Sequence, residues 1–315
     1  MTLMKSQNDH KNIRSSTGKP SHEMRASGHS INRSKAKTVF EKKPGLIYHG
    51  RFIAPDKRLL FMQYFQTIYP IFEMRFSKNN PPPAGDTQRP LLRPVYWLGN
   101  WQFACLNYYH PPKGVEYRCL KVEEFPPFMQ KIVKDIEKIT KDYFPNKDVP
   151  KNWHLNTCLI NFYGTDKRDG KNEDTARVGD HKDFEPGPVA SLSFGERAFF
   201  QFVFGNQKLK QNVAYERWLE DGSLLIFAGE YYKEKTFHRV QRVENKKTHQ
   251  FVLNLEGFET RRINLTFRYV PVEHVYDVKT FPKESLEDIA PYIDELSKQS
   301  KTFQEIALDL RKTYA

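Results

Sequence analysis

The sequence of 315 residues has no long apolar run and only three cysteines. Because a membrane-spanning helix needs about 18 consecutive apolar residues, we expect none here and no membrane partner. The start of the sequence lacks the short apolar stretch of a secretory signal, so we do not expect secretion. Cys105, Cys119 and Cys158 have neither close spacing nor a paired framework, which argues against a disulfide scaffold. We therefore expect a reducing compartment, the cytoplasm or the nucleus.

Apolar residues are also few, at 38%, which is low for a chain that folds along its whole length. Residues 1–43 are rich in Ser, Lys, Arg and Asn, and we predict that they form a basic disordered tail. They contain ten Lys or Arg and three acidic residues, so they account for +7 of the formal net charge of +12. Such a tail suits a polyanionic partner such as nucleic acid. A solvated tail that only keeps the protein soluble explains the charge equally well.

Aromatic residues, in contrast, are abundant, at 14%, and they favour a β-rich core. Short apolar runs separated by glycines predict a double-stranded β-helix (jelly roll) in an α+β fold with N-terminal and C-terminal helices. Helical spacing predicts one helix from Pro55 and another over 125–143, and Ser285 is a candidate N-cap for a C-terminal helix. The predicted strands are 155–163, 189–194, 198–204, 223–227, 236–243 and 262–270.

These elements divide the chain into four predicted parts. The basic tail is followed by helices and a region that we expect to form a substrate lid. A jelly-roll catalytic core comes next, and a helical extension completes the chain. The predicted boundaries are 1–43, 44–150, 151–272 and 273–315.

The first candidate site is a His-x-Asp pattern, His181-Lys182-Asp183. Residues i and i+2 of a strand project from the same side, so both side chains can reach one ion. A second histidine, His238, lies on another predicted strand. Two imidazoles and one carboxylate form the facial triad of non-haem Fe(II), which leaves coordination positions open. Each part alone has an ordinary explanation, a chance surface turn for His-x-Asp and a packed histidine for His238.

A second candidate site lies on the last predicted strand. Arg262, Asn264 and Arg268 have even spacing and therefore share one face, while Leu265 and Phe267 face the core. Two guanidinium groups beside an amide suit a dicarboxylate, since Arg binds carboxylates in a bidentate manner. A solvated cationic face is the alternative. The presence of the candidate triad favours the dicarboxylate.

From about Asn161 to Arg268 the chain resembles the AlkB-type dioxygenases in the order of its motifs. The final motif, after a triad, is the most specific of them. The motifs are Asn161-Phe162-Tyr163, His181-Lys182-Asp183, Val189-Ala190-Ser191-Leu192-Ser193-Phe194-Gly195, Phe200-Gln201-Phe202, Asp221-Gly222-Ser223-Leu224-Leu225, His238 and Arg262-Ile263-Asn264-Leu265-Thr266-Phe267-Arg268.

The resemblance implies an iron- and 2-oxoglutarate-dependent dioxygenase, whose activity ascorbate can support. Oxidative decarboxylation of 2-oxoglutarate to succinate would be coupled to hydroxylation of a C–H bond. In this family that bond often belongs to an N-alkyl group on a base, as in DNA repair and nucleic-acid demethylation. The implied residues are His181, Asp183 and His238 for catalysis and Fe(II), and Asn161, Tyr163, Arg262, Asn264 and Arg268 for 2-oxoglutarate.

The region that contacts the substrate is less well defined by the sequence. Residues 164–180 are longer and more polar than in the family, and we interpret them as a surface insertion. Trp101 and Tyr108 are candidates for stacking on an extruded base, and Glu185 resembles an acidic position that contacts the base. Core burial of the aromatics and a rim ion pair between Glu185 and a lysine are the alternatives.

The sequence leaves three hypotheses for function. The first is an AlkB-like dealkylase of DNA or RNA, which we expect to be a monomer. The second is a protein hydroxylase or demethylase of the same fold. The third is a catalytically silent jelly roll that binds a methylated partner, although every predicted iron and 2-oxoglutarate position is occupied by a competent residue.

Overall fold

A computed structural model of the chain shows two antiparallel β-sheets that face each other across a hydrophobic core. The described residues all belong to one unit, Thr38–Ala315. They are 40–75, 89–102, 119–205, 212–249, 251–281, 283 and 286–314. The predictions for Tyr108, Ser285 and residues 1–39 lie outside the described residues.

The described elements comprise short strands, four α-helices and a π-helical turn. None of these helices is both long and apolar enough to cross a membrane. The strands are β1 (Phe40–Lys43), β2 (Leu46–His49), β3 (Met74–Arg75), β4 (Arg89–Pro90), β5 (Val95–Leu98), β6 (Asn100–Trp101), β7 (Cys119–Lys121), β8 (Thr157–Asp166), β9 (Glu173–Asp174), β10 (Val178–His181), β11 (Val189–Gly195), β12 (Ala198–Phe204), β13 (Val213–Leu219), β14 (Leu224–Phe227), β15 (Thr236–Val243), β16 (Phe258–Arg268) and β17 (Val275–Tyr276). The helices are α1 (Pro55–Phe65), α2 (Pro127–Tyr143), α3 (Leu286–Ser297) and α4 (Lys301–Tyr314), and the π-helical turn is Glu230–Lys235.

The larger sheet has eight strands in the order β1-β2-β14-β11-β16-β8-β5, with β9 paired to β8. The smaller sheet has the order β10-β15-β12-β13. Pairs in both sheets are antiparallel. Phe227 of the larger sheet and Phe202 of the smaller sheet meet in the core between them, with ring centroids 5.1 Å apart. This arrangement confirms the predicted jelly-roll core and α+β class.

A second core covers the other face of the larger sheet. Ile263, Leu265 and Phe267 of β16 are buried there together with residues of α1 and α2. The intervening residues of β16 face the space between the sheets, as the alternation in the sequence predicted. One strand thus contributes apolar side chains to one core and polar side chains to the cavity.

The C-terminal helices α3 and α4 belong to this second core. Ile289 and Ile293 of α3 and Phe303 of α4 are buried in it, and the Phe303 ring lies 6.4 Å from that of Tyr96 on β5. The helical extension that the sequence predicted therefore packs on the larger sheet. The predicted start of α1 at Pro55 is confirmed, while α2 begins at Pro127, two residues after its predicted start, and ends at Tyr143 as predicted.

The sheet extends beyond the predicted boundaries of the core. Phe40–Lys43, which we assigned to the disordered tail, forms β1 and pairs with β2 through a turn at Gly45, whose φ is +78°. Strands β2 and β5, assigned to the helical and lid region, also join the larger sheet. These three strands are only four residues long, and β2 and β5 pair with strands from distant parts of the chain, β14 and β8. Periodicity within one segment does not specify such a partner.

The predicted insertion at 164–180 is attached to the sheet along much of its length. It includes the end of β8, the short strand β9 and most of β10. The buried Arg261 donates to Thr165 Oγ1 at 2.6 Å and to Asp174 Oδ2 at 2.9 Å. The description as a simple surface insertion was therefore wrong for its ends, because a buried guanidinium fixes them.

Candidate functional site

A cavity of about 150 Å³ lies between the two sheets. Both sheets and the segment that follows β10 contribute polar side chains to it. These side chains include every predicted iron and 2-oxoglutarate position and one of the predicted substrate positions. They are Asn161, Tyr163, His181, Asp183, Glu185, His238, Arg262, Asn264 and Arg268.

The three candidate metal ligands converge in this cavity. His181 ends β10, Asp183 follows it, and His238 is the register partner of His181 on β15. The two imidazole centroids are 4.2 Å apart, and His238 Nε2 lies 3.3 Å from Asp183 Oδ2. His181 Nδ1 lies 2.8 Å from the carbonyl oxygen of Gly179. Since a carbonyl only accepts hydrogen bonds, this nitrogen must donate, and Nε2 of the neutral ring keeps a free lone pair.

Electrostatics give these ligands the ionisation states that a metal requires. The pKa of His238 falls to about 3, mainly because of burial and then because of the neighbouring His181. Burial also lowers the pKa of His181. Burial alone would raise the pKa of Asp183, but Arg268 and the two histidines more than offset it, so this pKa is lowered. At neutral pH the set is therefore two neutral imidazoles and one carboxylate.

This donor set fits Fe(II). Asp183 Oδ2 is buried and has no hydrogen-bond partner among the described residues, an expensive state that a cation beside it would relieve. Among the described residues, however, no three His, Cys, Asp or Glu side chains are already arranged around one metal position. Binding therefore requires the side chains to adjust.

Arg268 pairs with carboxylates of the chain itself. Its Nη2 and Nε lie 2.6 and 2.8 Å from Asp183 Oδ1, and Nε lies 3.3 Å from Glu185 Oε1. Burial lowers the pKa of Arg268, but the two carboxylates outweigh burial and raise it. The sequence predicted that Arg268 carries charge contacts with the cosubstrate. In the structure its charge is already balanced by Asp183 and Glu185.

Arg262, in contrast, has only neutral partners. Its Nη2 donates to Ser193 Oγ at 2.7 Å, and Nη1 donates to two backbone carbonyls at 3.4 Å. The residue is 1% exposed, and burial lowers its pKa to about 10, which leaves it protonated at neutral pH. Among the described residues no acidic side chain forms an ion pair with Arg262. A buried cation of this kind is suited to an anionic ligand.

The neutral candidates are held by the strands around them. Asn264 Nδ2 donates to Ser191 Oγ at 2.8 Å and to a backbone carbonyl at 3.0 Å. Asn161 Oδ1 accepts from Arg93 Nε at 2.8 Å. Sequence reasoning did not single out Arg93. The signal for it was its position two residues before Val95, because Arg93, Val95 and Trp97 share a face once β5 pairs with β8.

The predicted substrate residues have different outcomes. Trp101 is 1% exposed and does not line the cavity, and its Nε1 donates to Glu73 Oε1 at 2.9 Å. Its assignment to a lid was wrong, because a side chain buried in the core cannot stack on a base. Glu185 lines the cavity and is 2% exposed, so it is not a rim carboxylate paired with a lysine. Its Oε1 accepts from Gln102 at 2.5 Å, and its Oε2 is buried without a partner.

Comparison with known proteins gives one family and several similar proteins. The model of the 2OG-Fe(II) oxygenase superfamily matches residues 45–268. The DNA N(6)-methyladenine demethylase ALKBH1D of Arabidopsis thaliana is 34% identical over 120 residues, which are 36% of this chain and 24% of that protein. The chain thus spans about a quarter of the length of this curated relative.

Two solved structures are similar at lower identity. The structure of OsALKBH1 is 22% identical with a TM-score of 0.46, over 73% of this chain and 100% of that one. The crystal structure of a Pseudomonas putida prolyl-4-hydroxylase is 12% identical with a TM-score of 0.37, over 72% of this chain and 93% of that one.

Proposed function

The chain belongs to the 2OG-Fe(II) oxygenase superfamily, and from this premise we propose that it oxidatively removes N-linked methyl groups from bases of nucleic acid. Fe(II) and 2-oxoglutarate are the cofactors of the family, as the sequence predicted. The similarity to a DNA N(6)-methyladenine demethylase supports the choice of substrate. The positive charge of residues 1–43 supports it independently.

His181, Asp183 and His238 would hold the iron in this proposal. The observation that supports it best is the buried Asp183 Oδ2, which has no hydrogen-bond partner and lies beside the neutral ring of His238. When bound, Fe(II) supplies the activation of dioxygen that couples decarboxylation of 2-oxoglutarate to hydroxylation of a C–H bond. Arg268 keeps Asp183 ionised and oriented through Oδ1, which leaves Oδ2 for the metal.

Arg262 would provide the main charge contact with 2-oxoglutarate, because it is the fully buried cation of the cavity without an acidic partner among the described residues. Tyr163, Asn161 and Asn264 would supply neutral contacts from the same face of the larger sheet. The two carboxylates of the cosubstrate would thus meet one free guanidinium and several hydrogen-bonding groups.

Glu185 would contact the base. Glu185 lines the cavity, and its Oε2 is buried without a hydrogen-bond partner in the described part of the chain, so it can accept a hydrogen bond from an exocyclic N–H group. Burial raises the pKa of this carboxyl, while Arg268 opposes the shift. The overall reaction balances as N–CH₃ + O₂ + 2-oxoglutarate → N–CH₂OH + succinate + CO₂. The hydroxymethyl group then leaves as formaldehyde and returns the proton to nitrogen.

The test is incubation with Fe(II), 2-oxoglutarate, ascorbate and a single-stranded oligonucleotide that contains one N6-methyladenine. Mass spectrometry of the oligonucleotide is compared with the amount of succinate. We expect one methyl group lost per succinate formed in the wild type, none in His181→Ala, and full activity in His154→Ala, which changes an exposed histidine outside the cavity.

Two results would contradict the proposal. Succinate formed with a methylated peptide, while every methylated DNA and RNA oligonucleotide is unchanged, would identify a protein hydroxylase or demethylase. Absence of both bound metal and succinate with any substrate would identify a silent binding module.

A further inference from the structure

We propose that Arg93 is a second arginine of the 2-oxoglutarate site, and that it binds the distal carboxylate together with Arg262. This inference rests on the cosubstrate site proposed above. The starting observation is that a third guanidinium lines the cavity between the sheets, next to Asn161 and Tyr163.

Strand register places Arg93 and Arg262 on either side of Tyr163. Val95 of β5 is the register partner of Asn161, so Arg93 is at the level of Tyr163, two residue pairs further along. On the other side of β8, Arg262 is the direct partner of Tyr163. The guanidinium carbons lie 5.6 Å (Arg93) and 6.0 Å (Arg262) from the centroid of the tyrosine ring. The two cations therefore occupy the same end of the cavity.

The partners of the two arginines are neutral. Arg93 Nε donates to Asn161 Oδ1 at 2.8 Å, and Arg262 Nη2 donates to Ser193 Oγ at 2.7 Å. Among the described residues, no ion pair involves either arginine, whereas Arg268 is balanced by Asp183 and Glu185. Two uncompensated cations at one end of a buried cavity repel each other, and an anion between them removes this cost. A carboxylate can accept hydrogen bonds from both.

The orientation of Arg93 favours the cosubstrate over a phosphate of nucleic acid. Its Nε is fixed to Asn161, which is 3% exposed. The half-buried guanidinium also lies over the ring of Tyr163, on the same strand as Asn161. We therefore assign the charge of Arg93 to the interior of the site.

The experiment measures ligand binding without turnover, on the full chain loaded with Mn(II) under nitrogen. The quenching of tryptophan fluorescence reports binding, because Trp97 lines the cavity. The ligands are 2-oxoglutarate and 2-oxobutyrate, a 2-oxo acid that lacks the distal carboxylate. The variants are Arg93→Met, Arg93→Lys, Arg262→Met and, as a control, Arg51→Met, an exposed arginine. Far-UV circular dichroism verifies that each variant is folded.

We expect Arg93→Met to raise the Kd for 2-oxoglutarate at least about ten-fold, the value of one charge-assisted hydrogen bond. The Kd for 2-oxobutyrate is expected to stay the same. Arg93→Lys retains the charge, so it should raise the Kd for 2-oxoglutarate less than Arg93→Met does. The control variant Arg51→Met should bind both ligands like the wild type.

Other outcomes separate this inference from the proposed function. If Arg262→Met weakens binding of 2-oxoglutarate and Arg93→Met does not, the role of Arg93 is refuted, while the proposed 2-oxoglutarate site at Arg262 is retained. If neither variant changes binding, the cosubstrate site itself is wrongly assigned. Equal losses for both 2-oxo acids, or a loss confined to oligonucleotide affinity, would also refute the role of Arg93 at the distal carboxylate.

Discussion

Arg268 connects the candidate metal site to the candidate substrate site through two carboxylates. Its guanidinium contacts Asp183 and Glu185, and all three side chains are buried. In such a cluster the net charge matters more than any single hydrogen bond, because an unpaired buried charge is costly. Arg268 therefore lowers the cost of burying two acidic side chains within one cavity.

The first prediction concerns the loss of this charge. Arg268→Met leaves Asp183 and Glu185 buried without their cation, so the free energy of unfolding should fall by about 3–5 kcal/mol in urea titrations of the metal-free protein. Adding Glu185→Gln removes one of the unpaired charges and should recover part of the loss. Arg311→Met, which removes a surface ion pair with Asp294, should cost less than about 1 kcal/mol. If the double variant is no more stable than Arg268→Met alone, unpaired buried charge is not the cause of the destabilisation.

At the scale of elements, the π-helical turn before β15 holds the segment that follows Asp183. Lys233 on this turn is half-buried, and its Nζ donates to the backbone carbonyls of Glu185 and Gly187, the latter at 2.8 Å. Gly187 has a φ of +77°, and a Cβ there would lie 2.6 Å from Trp153 Cδ1. The segment is thus fixed by an ammonium on one side and by an indole on the other. Lys233 acts on the metal site by positioning this segment.

The second prediction tests this positioning role. Lys233→Met leaves two partly buried carbonyls without their donor, so we expect a loss of about 1–3 kcal/mol in unfolding free energy. We also expect faster amide hydrogen exchange at Phe184, Glu185 and Gly187 and weaker binding of Mn(II), measured by calorimetry. Lys235→Met on the same turn is the matched control, since Lys235 forms only an exposed ion pair with Glu230. Unchanged exchange in Lys233→Met would show that the ammonium does not hold the segment.

At the scale of the whole molecule, the larger sheet separates two hydrophobic cores that support different parts of the fold. The core between the sheets surrounds the polar cavity, while the core on the outer face joins the sheet to all four helices. Helix α4 contributes Phe303, Ile306 and Leu310 to the outer core, although it lies far from the cavity residues in sequence. The C-terminal hairpin of helices is therefore part of the fold that supports the site.

The third prediction compares two positions on α4. Phe303→Ala leaves a cavity next to Tyr96 and should lower the free energy of unfolding by about 3–5 kcal/mol. Leu308→Ala changes a residue that is 52% exposed on the same helix, so its effect should stay within about 0.5 kcal/mol. Denaturant titration of both variants measures the difference. Equal effects would mean that α4 does not pack on the sheet as described.

The sequence by itself determined those features that depend on spacing within one segment. The alternation along β16 placed Arg262, Asn264 and Arg268 on the cavity face, with Leu265 and Phe267 in the core. The i, i+2 spacing of His181 and Asp183 likewise predicted a common direction. The prediction for β16 holds because the strand period of two residues is a property of the backbone. Asp183 lies beyond the end of β10, so its place beside His181 in the cavity does not follow from that period.

Only the tertiary structure decided which charged groups meet. It paired Arg268 with Asp183 and left Arg262 with neutral partners. It also brought Arg93, which precedes β5, to Tyr163, seventy positions later in the sequence. It also showed that Trp101, which the sequence placed in a lid, is buried in the core. The reason is physical: the energy of a buried charge depends on every neighbour that packing places around it, and periodicity within one segment does not identify those neighbours.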